Sequence, residues 1–398
     1  MISANFPDIG HCHEVNMKHK TIEIFLFIDA LGWKIVNDHQ FMEELFPYRK
    51  KADMQFGYSS SAIPTILSGK TPSEHGHLGL FCFAPEKSPF KTLSHLEWLF
   101  KPDHFWNRGR VRHHLSRLLK KIYGFTGYFQ LYRMPLWKLK YMDYCEKRDL
   151  FVSGGMESIA NLHDTLHGKK VDFHISDWHL SDEENYAAAG KAIEDGKKFL
   201  FVYTASFDGV LHDKIRDAAA VRSKLETIQK QIEILYRKAE EYAETVHFTV
   251  ISDHGMTPLS GTADIMKEVE AGGLVFGKDY GACFDSTMAR FYYLNKNAEP
   301  VITGLMQKFP GHFLTREEEI HYGIYRADRI FGDAIFLLDA GIQIVPSDMG
   351  GKPLNGMHGF SPEDEHSFAA VLSNTPIPEN VEKVADYFNF MIESAEKL

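Results

Sequence analysis

Three apolar runs frame the chain. Residues 21–29 (TIEIFLFID) are apolar almost without interruption, and the same holds for 199–205 (FLFVYTA) and 247–252 (HFTVIS). A continuous run, unlike an alternating one, marks a strand covered on both faces, as in parallel sheets packed between helices. Between the last two runs the period changes. Val221, Leu225, Ile228, Ile232, Leu235 and Tyr242 recur at helical spacing, with Lys and Glu filling the other face. That stretch predicts an amphipathic helix lying on the sheet. Strand and helix alternate, so the fold class expected is α/β, a mostly parallel central sheet flanked by helices in one domain, 20–398.

Two stretches escape the alternation and read as insertions forming a cap or side lobe. The second, 259–350, mixes strand-like ARFYYL and AIFLL with the acidic run REEE. The first, 83–165, is aromatic and basic. It carries Lys101, Arg108, Arg110, Arg112, Arg117, Lys120 and Lys121 among Phe105, Trp106, Tyr123, Phe125, Tyr128, Phe129, Tyr132 and Trp137. Within it Val111, Leu115, Leu118, Leu119 and Ile122 line one face of a short basic helix. Such a helix packs its apolar face on the core, or lies over an anionic ligand or a membrane surface.

The stretch 57–76, GYSSSAIPTILSGKTPSEHG, predicts a helix start. Ser59, Ser60 and Ser61 precede the apolar AIPTIL, Pro64 suits a first turn, and Gly69 suits a left-handed stop. A hydroxyl there faces unpaired amides and the positive end of the helix dipole, which stabilise an alkoxide or a phosphoryl oxygen. Alone, such a serine is a cap. The chain adds Asp29 after the first apolar run, Asp208 and His212 after the second, Asp253 and His254 after the third, and His358 later. In open α/β sheets, sites form beyond the carboxyl ends of strands. Carboxylate oxygens and neutral imidazoles are ligands for Zn²⁺ or a similar ion. Asp208 and His212, four apart, share one face of a helical turn. Asp253 and His254 need a sharp loop, for which Gly255 offers backbone freedom.

This order of residues resembles the alkaline phosphatase superfamily. Within it the chain is most similar to the type I phosphodiesterase/nucleotide pyrophosphatase family, whose nucleophile segment ends in TG-x-x-P-x-x-HG; here it reads SGKTPSEHG. The resemblance runs from Asp29 to His358 and implies an alkaline phosphatase-like sheet with cap insertions. It also implies two divalent metal ions, zinc with manganese as the alternative. One would be held by Asp208, His212 and His358, the other by Asp29, Asp253 and His254. Counted back from Gly69, the metal-bound nucleophile falls on Ser59, where relatives more often carry Thr; a shifted turn would place it on Ser60 or Ser61. Many relatives have an asparagine after the HG to steady a phosphoryl oxygen, and here the stretch is HLGLFCF.

The activity so implied is a two-metal phosphodiesterase or nucleotide pyrophosphatase with a covalent phosphoseryl intermediate. Its substrate would be a small phosphodiester, a nucleotide or an anionic lipid-linked diester. A phosphomonoesterase or phosphomutase is the alternative, and the phosphomonoesterase would want an arginine at the phosphoryl group, for which Arg290 and Arg326 are candidates. A sulfatase needs Cys or Ser followed by x-Pro-x-Arg, which Ser59 lacks. From another class, a metal-binding interaction protein would keep the ligands without turnover.

Composition narrows the partners. Of 398 residues 44% are hydrophobic and 25% charged, as in ordinary globular proteins, and the net charge of −10 argues against a nucleic-acid polymer. No segment reaches the roughly 20 apolar residues that span a bilayer, so membrane contact would be peripheral. Residues 1–19 read as a disordered tail without a secretory pattern, and Cys12, Cys82, Cys145 and Cys283 form no CxxC pair. A cytoplasmic location is expected.

Overall fold

The computed structural model describes residues 18–93 and 106–398. The expected tail lies outside them except for Lys18 and His19, and so do Lys101 and Phe105. His19 already belongs to β1 (His19–Ile28). The three apolar runs become the middle of one sheet, with β1 parallel to both β6 (Phe199–Thr204) and β7 (Ala243–Ile251). The full order is β2 (Tyr48–Ala52), β16 (Ala369–Ser373), β7, β1, β6, β5 (Phe173–Ile175). The sheet is mixed because β16 runs against both neighbours. The chain enters β16 from the end where β7 finishes, Val371 pairing with Ile251, and so leads away from that end while β1, β6 and β7 lead towards it.

The continuous apolar pattern of β1 covers two different faces. Ile22, Ile24, Leu26 and Ile28 pack with the long helix Ala218–Tyr242, whereas Phe25 and Phe27 pack with Ile66, Leu67 and the C-terminal helix Tyr387–Ala395. The long helix buries Val221, Leu225, Ile228, Ile232, Leu235 and Ala239, each Val, Leu or Ile side chain contributing about 1.5–3 kcal/mol by leaving water. Tyr242 is only partly covered, and Ala239 completes the stripe in its place.

Residues of the two stretches share one apolar cluster. A four-stranded antiparallel sheet, β10 (Tyr280–Phe284), β11 (Met288–Tyr293), β13 (Ala334–Leu338) and β12 (Gly311–Phe313), comes from the second. An antiparallel pair of β3 (Phe81–Phe83) and β4 (Met142–Tyr144) closes the first. Phe81, Phe83, Phe90, Phe125, Phe129 and Tyr144 share an apolar cluster with Cys283 and Tyr292, so many of the aromatics of the first insertion are core. Two short ladders, β8 (Thr257–Pro258) with β15 (Gly356–Met357) and β9 (Gly261–Ala263) with β14 (Ile342–Ile344), bring the two ends of the second stretch together.

The basic helix, Gly109–Tyr123, does not bury the face its apolar pattern suggests. Arg112, Ser116 and Leu119 are the buried positions, while Leu118 is 54% and Ile122 62% exposed. Polar bonds decide the orientation. Arg112 donates to the Met134 carbonyl at 2.7 Å, and Ser116 Oγ accepts from the Leu131 amide at 3.0 Å. Among the described residues no helix is long and apolar enough to cross a membrane.

Candidate active site

The expected helix start is shifted. The helix Ser59–Ser68 takes in all three serines, and Tyr58 is its N-cap, its carbonyl accepting from the Ser61 and Ala62 amides. Pro64 sits in the helix interior, beyond the first turn, and Gly69 ends the helix in the left-handed conformation, φ 67°. Ser61 is fully buried and donates to the Phe56 and Tyr58 carbonyls at 2.9 Å; Ser60 reaches the Leu78 carbonyl at 3.5 Å. Ser59 Oγ instead lies 3.1 Å from His254 Nε2.

The strand ends deliver the charged groups. Asp29 follows β1 and accepts from the Tyr203 hydroxyl at 3.2 Å, Tyr203 coming from β6 beside it. Asp253 follows β7, and its Oδ1 accepts from the Ala30 and His254 amides at 3.1 and 3.0 Å. Gly255 is required there for close approach, since it shows no positive φ. A Cβ on it would stand 2.1 Å from the His366 carbonyl oxygen. Asp208 and His212 lie on the helix Ser206–Lys214, Oδ2 to Nε2 3.3 Å, and His212 Nδ1 donates to the Gly356 carbonyl at 2.8 Å. His358, just after β15, brings Nε2 to 3.6 Å from Asp208 Oδ1.

Asp208, His212 and His358 thus form one trio and Asp29, Asp253 and His254 another, the ligand atoms of each lying within 4.8 Å of one another. The trios meet where the His254 and His358 rings stack, centroids 3.8 Å apart and planes 13° from parallel. His254 Nδ1 donates to the Gly255 carbonyl at 2.9 Å, which leaves Nε2 facing Ser59 and the Asp29 and Asp253 carboxylates.

Charge is poorly balanced here. Burial, then the Asp253 and Asp208 charges, push Asp29 well above the usual carboxylate range. Burial also pushes Asp208 up, but its His212 hydrogen bond and the His358 and His212 charges prevail and hold it well below that range. His254 is raised to about 10 in spite of its burial, chiefly by Asp253 and Asp29, while burial and the His254 charge depress His358. Asp29 Oδ1, Asp208 Oδ1, Asp253 Oδ2 and His358 Nδ1 are buried with no hydrogen-bond partner among the described residues. Buried carboxylates and imidazoles short of positive charge, with orphaned donor atoms at mutual ligand distance, are a donor set that fits divalent cations.

Asp29, Ser59, Ser60, Asp208, His212 and His358 line a cavity of about 590 Å³. Tyr58, Tyr203, Glu146, Arg148, Trp178, Asp285 and Ser286 also line it, together with Tyr128 and Tyr132 of the first insertion. Of the two arginine candidates, Arg290 is fully buried, bound to Asp285 at 2.7 Å and to the Phe81 carbonyl at 2.6 Å, so it props the wall from behind. Arg326 pairs with Asp328 and the Ser73 carbonyl and does not line the cavity. In the stretch HLGLFCF, Gly79 makes room for Arg290, whose Nη2 would lie 2.7 Å from a Cβ there, and Leu80 lines the cavity. Tyr203 and Tyr58 escaped the sequence reading. Tyr203 could have been found at the end of its strand, whereas Tyr58, whose ring edge meets His358, carries no local signal.

Residues 24–361 match the family model described as type I phosphodiesterase / nucleotide pyrophosphatase. No curated protein matches the chain. Among solved structures, murine ectonucleotide pyrophosphatase/phosphodiesterase 5, in an inactive form in complex with AMP, is 15% identical with a TM-score of 0.64, covering 95% of this chain and 96% of its own. Its human counterpart is 12% identical with a TM-score of 0.65, at 94% of each chain.

Proposed function

The chain belongs to the type I phosphodiesterase/nucleotide pyrophosphatase family and is a phosphoric ester hydrolase, and we propose that it cleaves small phosphodiesters or nucleotides through a covalent phosphoseryl intermediate on Ser59. The observation that carries this is the 3.1 Å approach of Ser59 Oγ to His254 Nε2 at a helix N-terminus, on a cavity wall that Asp29, Asp208, His212 and His358 also line. Asp208, His212 and His358 would hold one divalent ion and Asp29, Asp253 and His254 the other, with Ser59 beside them. Bound ions lower the hydroxyl's pKa and offset negative charge as it develops at the attacking and leaving oxygens.

Within that frame the side chains divide the work. Ser59 Oγ attacks phosphorus as the ester oxygen opposite it departs, and a water later displaces the serine from the phosphoserine. Two in-line displacements give net retention. Among the described residues no carbonyl accepts from the Ser59 or Ser60 amides, so both remain available to a phosphoryl oxygen, as does the Ser60 hydroxyl once it turns from its long 3.5 Å contact with the Leu78 carbonyl. This arrangement takes the place of the missing asparagine.

The AMP bound in the murine neighbour supports a nucleotide as one substrate. Zinc, with manganese as alternative, belongs to the proposal, as Asp and His serve both. So do a cytoplasmic location, in keeping with the free thiols of Cys82, Cys145 and Cys283, and peripheral contact with anionic surfaces near Arg117, Leu118, Lys121 and Ile122. The test is hydrolysis of bis-p-nitrophenyl phosphate against p-nitrophenyl phosphate with Zn²⁺ or Mn²⁺ added. Diester turnover supports the reading, preference for the monoester replaces it with a phosphomonoesterase, and no turnover leaves a metal-binding interaction protein.

A further inference from the structure

The cysteines among the described residues are free thiols, and two of them meet across β3 and β4. These strands pair with Phe81 opposite Tyr144 and Cys82 opposite Asp143, and the Cys145 amide extends the ladder by donating to the Leu80 carbonyl at 2.9 Å. Side chains alternate between the faces of a strand. Cys145, two residues after Asp143, therefore lies on the face that Cys82 occupies, one diagonal step away. β4 ends at Tyr144 and the chain bends at Cys145, whose carbonyl accepts from the Lys147 amide at 3.0 Å. The two thiols are in hydrogen-bonding reach: the Cys145 thiol first, and burial second, hold the Cys82 thiol well above its ordinary range. Cys283 is engaged elsewhere, its thiol donating to the Phe81 carbonyl at 3.6 Å.

The pair is unequal. Cys82 is 4% exposed, while Cys145 is partly open to solvent and meets a small oxidant first. We propose that Cys82 and Cys145 are a redox-responsive dithiol, a modification site whose reagent is a peroxide. Cys145, once deprotonated, attacks one peroxide oxygen; an S–O bond forms, the O–O bond breaks, and hydroxide leaves and takes up a proton as water. Cys82 then attacks the Cys145 sulfur; the S–S bond forms, the S–O bond breaks, and the second hydroxide takes the Cys82 proton as water. Two thiols and one hydrogen peroxide give one disulfide and two waters, the sulfurs losing the two electrons that the peroxide gains. Until the first step Cys82 is kept protonated largely by Cys145 itself, and conversion of that thiol frees it to attack. The bond closes a loop over 82–145 that contains the basic helix, and it forms between Leu80 and Glu146 of the cavity wall.

The experiment treats the folded, reduced full chain with hydrogen peroxide, removes the oxidant, unfolds the chain in iodoacetamide and maps the digest by mass spectrometry. Thermal unfolding is measured before and after oxidation. The expected product is an intrachain Cys82–Cys145 peptide lighter by two hydrogens and reversed by dithiothreitol, with Cys12 and Cys283 alkylated. The oxidised protein should unfold a few degrees above the reduced one, because the closed loop restricts the unfolded chain. Cys82→Ser should leave Cys145 as a sulfenic acid that dimedone traps, and Cys145→Ser should leave Cys82 alkylated. Should either variant fail to fold, the wild-type map and unfolding curve decide alone. Pairing of Cys145 with Cys12, Cys283 or a second chain overturns the inference. So do oxidation of either thiol to a sulfonic acid in wild type, a bond that lowers the unfolding midpoint, and full alkylation of both thiols after peroxide. None of these readouts requires turnover, so they stand apart from the phosphodiesterase reading.

Discussion

Gly32 and Gly255 meet backbone to backbone: a Cβ on Gly32 would lie 2.4 Å from the Gly255 Cα, and one on Gly255 3.4 Å from the Gly32 Cα. The loop carrying Asp29 and the loop carrying Asp253 and His254 can approach only because Gly32 has no side chain, and Gly255 must lack one as well because a Cβ there would stand 2.1 Å from the His366 carbonyl oxygen. Gly255→Ala should therefore cost about 1–3 kcal/mol of stability by overpacking, and weaken metal binding as well. Thermal unfolding with and without added metal would check both; an unchanged variant would mean that the loops yield freely.

Ser59→Ala should lower diester turnover at least about a thousandfold, with metal content nearly intact because six side chains of the two trios remain. Ser60→Ala should lose less, through a weakened hold on the phosphoryl oxygen. Ser61→Ala should affect folding stability, since its hydroxyl bonds only the Phe56 and Tyr58 carbonyls. Loss of turnover in Ser60→Ala with wild-type rates in Ser59→Ala would move the nucleophile by one residue.

Chelation should inactivate the enzyme reversibly. Asp253→Ala and His358→Ala should each lower metal affinity by more than the roughly 10–100-fold typical of outer-shell partners, and activity with it. Elemental analysis beside rate measurements reads both. Full activity after exhaustive dialysis against EDTA would remove metal from the mechanism.

The Glu146 proton gives stability a definite pH dependence. Its carboxyl is raised from 4.5 to about 8 by burial, so between those values the folded protein keeps a proton that the unfolded chain has lost. Stability must then fall as pH rises through that window. Glutamine does not titrate, so Glu146→Gln should gain on wild type by roughly 2–4 kcal/mol between about pH 4.5 and pH 8.5. Denaturant unfolding at the two pH values measures it, and parallel curves would show that Glu146 is paired in solution.

Arg290→Met should cost about 3–5 kcal/mol, because it strands the buried Asp285 charge, while turnover per folded molecule persists. A large fall in kcat at unchanged stability would instead put Arg290 at the phosphoryl group.

The sequence by itself determined the strands β1, β6 and β7, the long helix Ala218–Tyr242 and the family, because hydrophobic period and motif order are local properties of a chain. It also nominated Asp29, Asp208, His212, Asp253, His254 and His358, since residue type and position after a strand are readable without coordinates. Tertiary structure decided what depends on the meeting of distant segments. It turned the basic helix so that Arg112, and not Leu118, faces inward, and it made Gly255 a contact with Gly32 in place of a flexible hinge. It set Arg290 behind the wall and left Glu146 on the cavity wall with no ion pair among the described residues. Whether a buried charge is satisfied depends on partners tens or hundreds of residues away, and no local pattern carries that information.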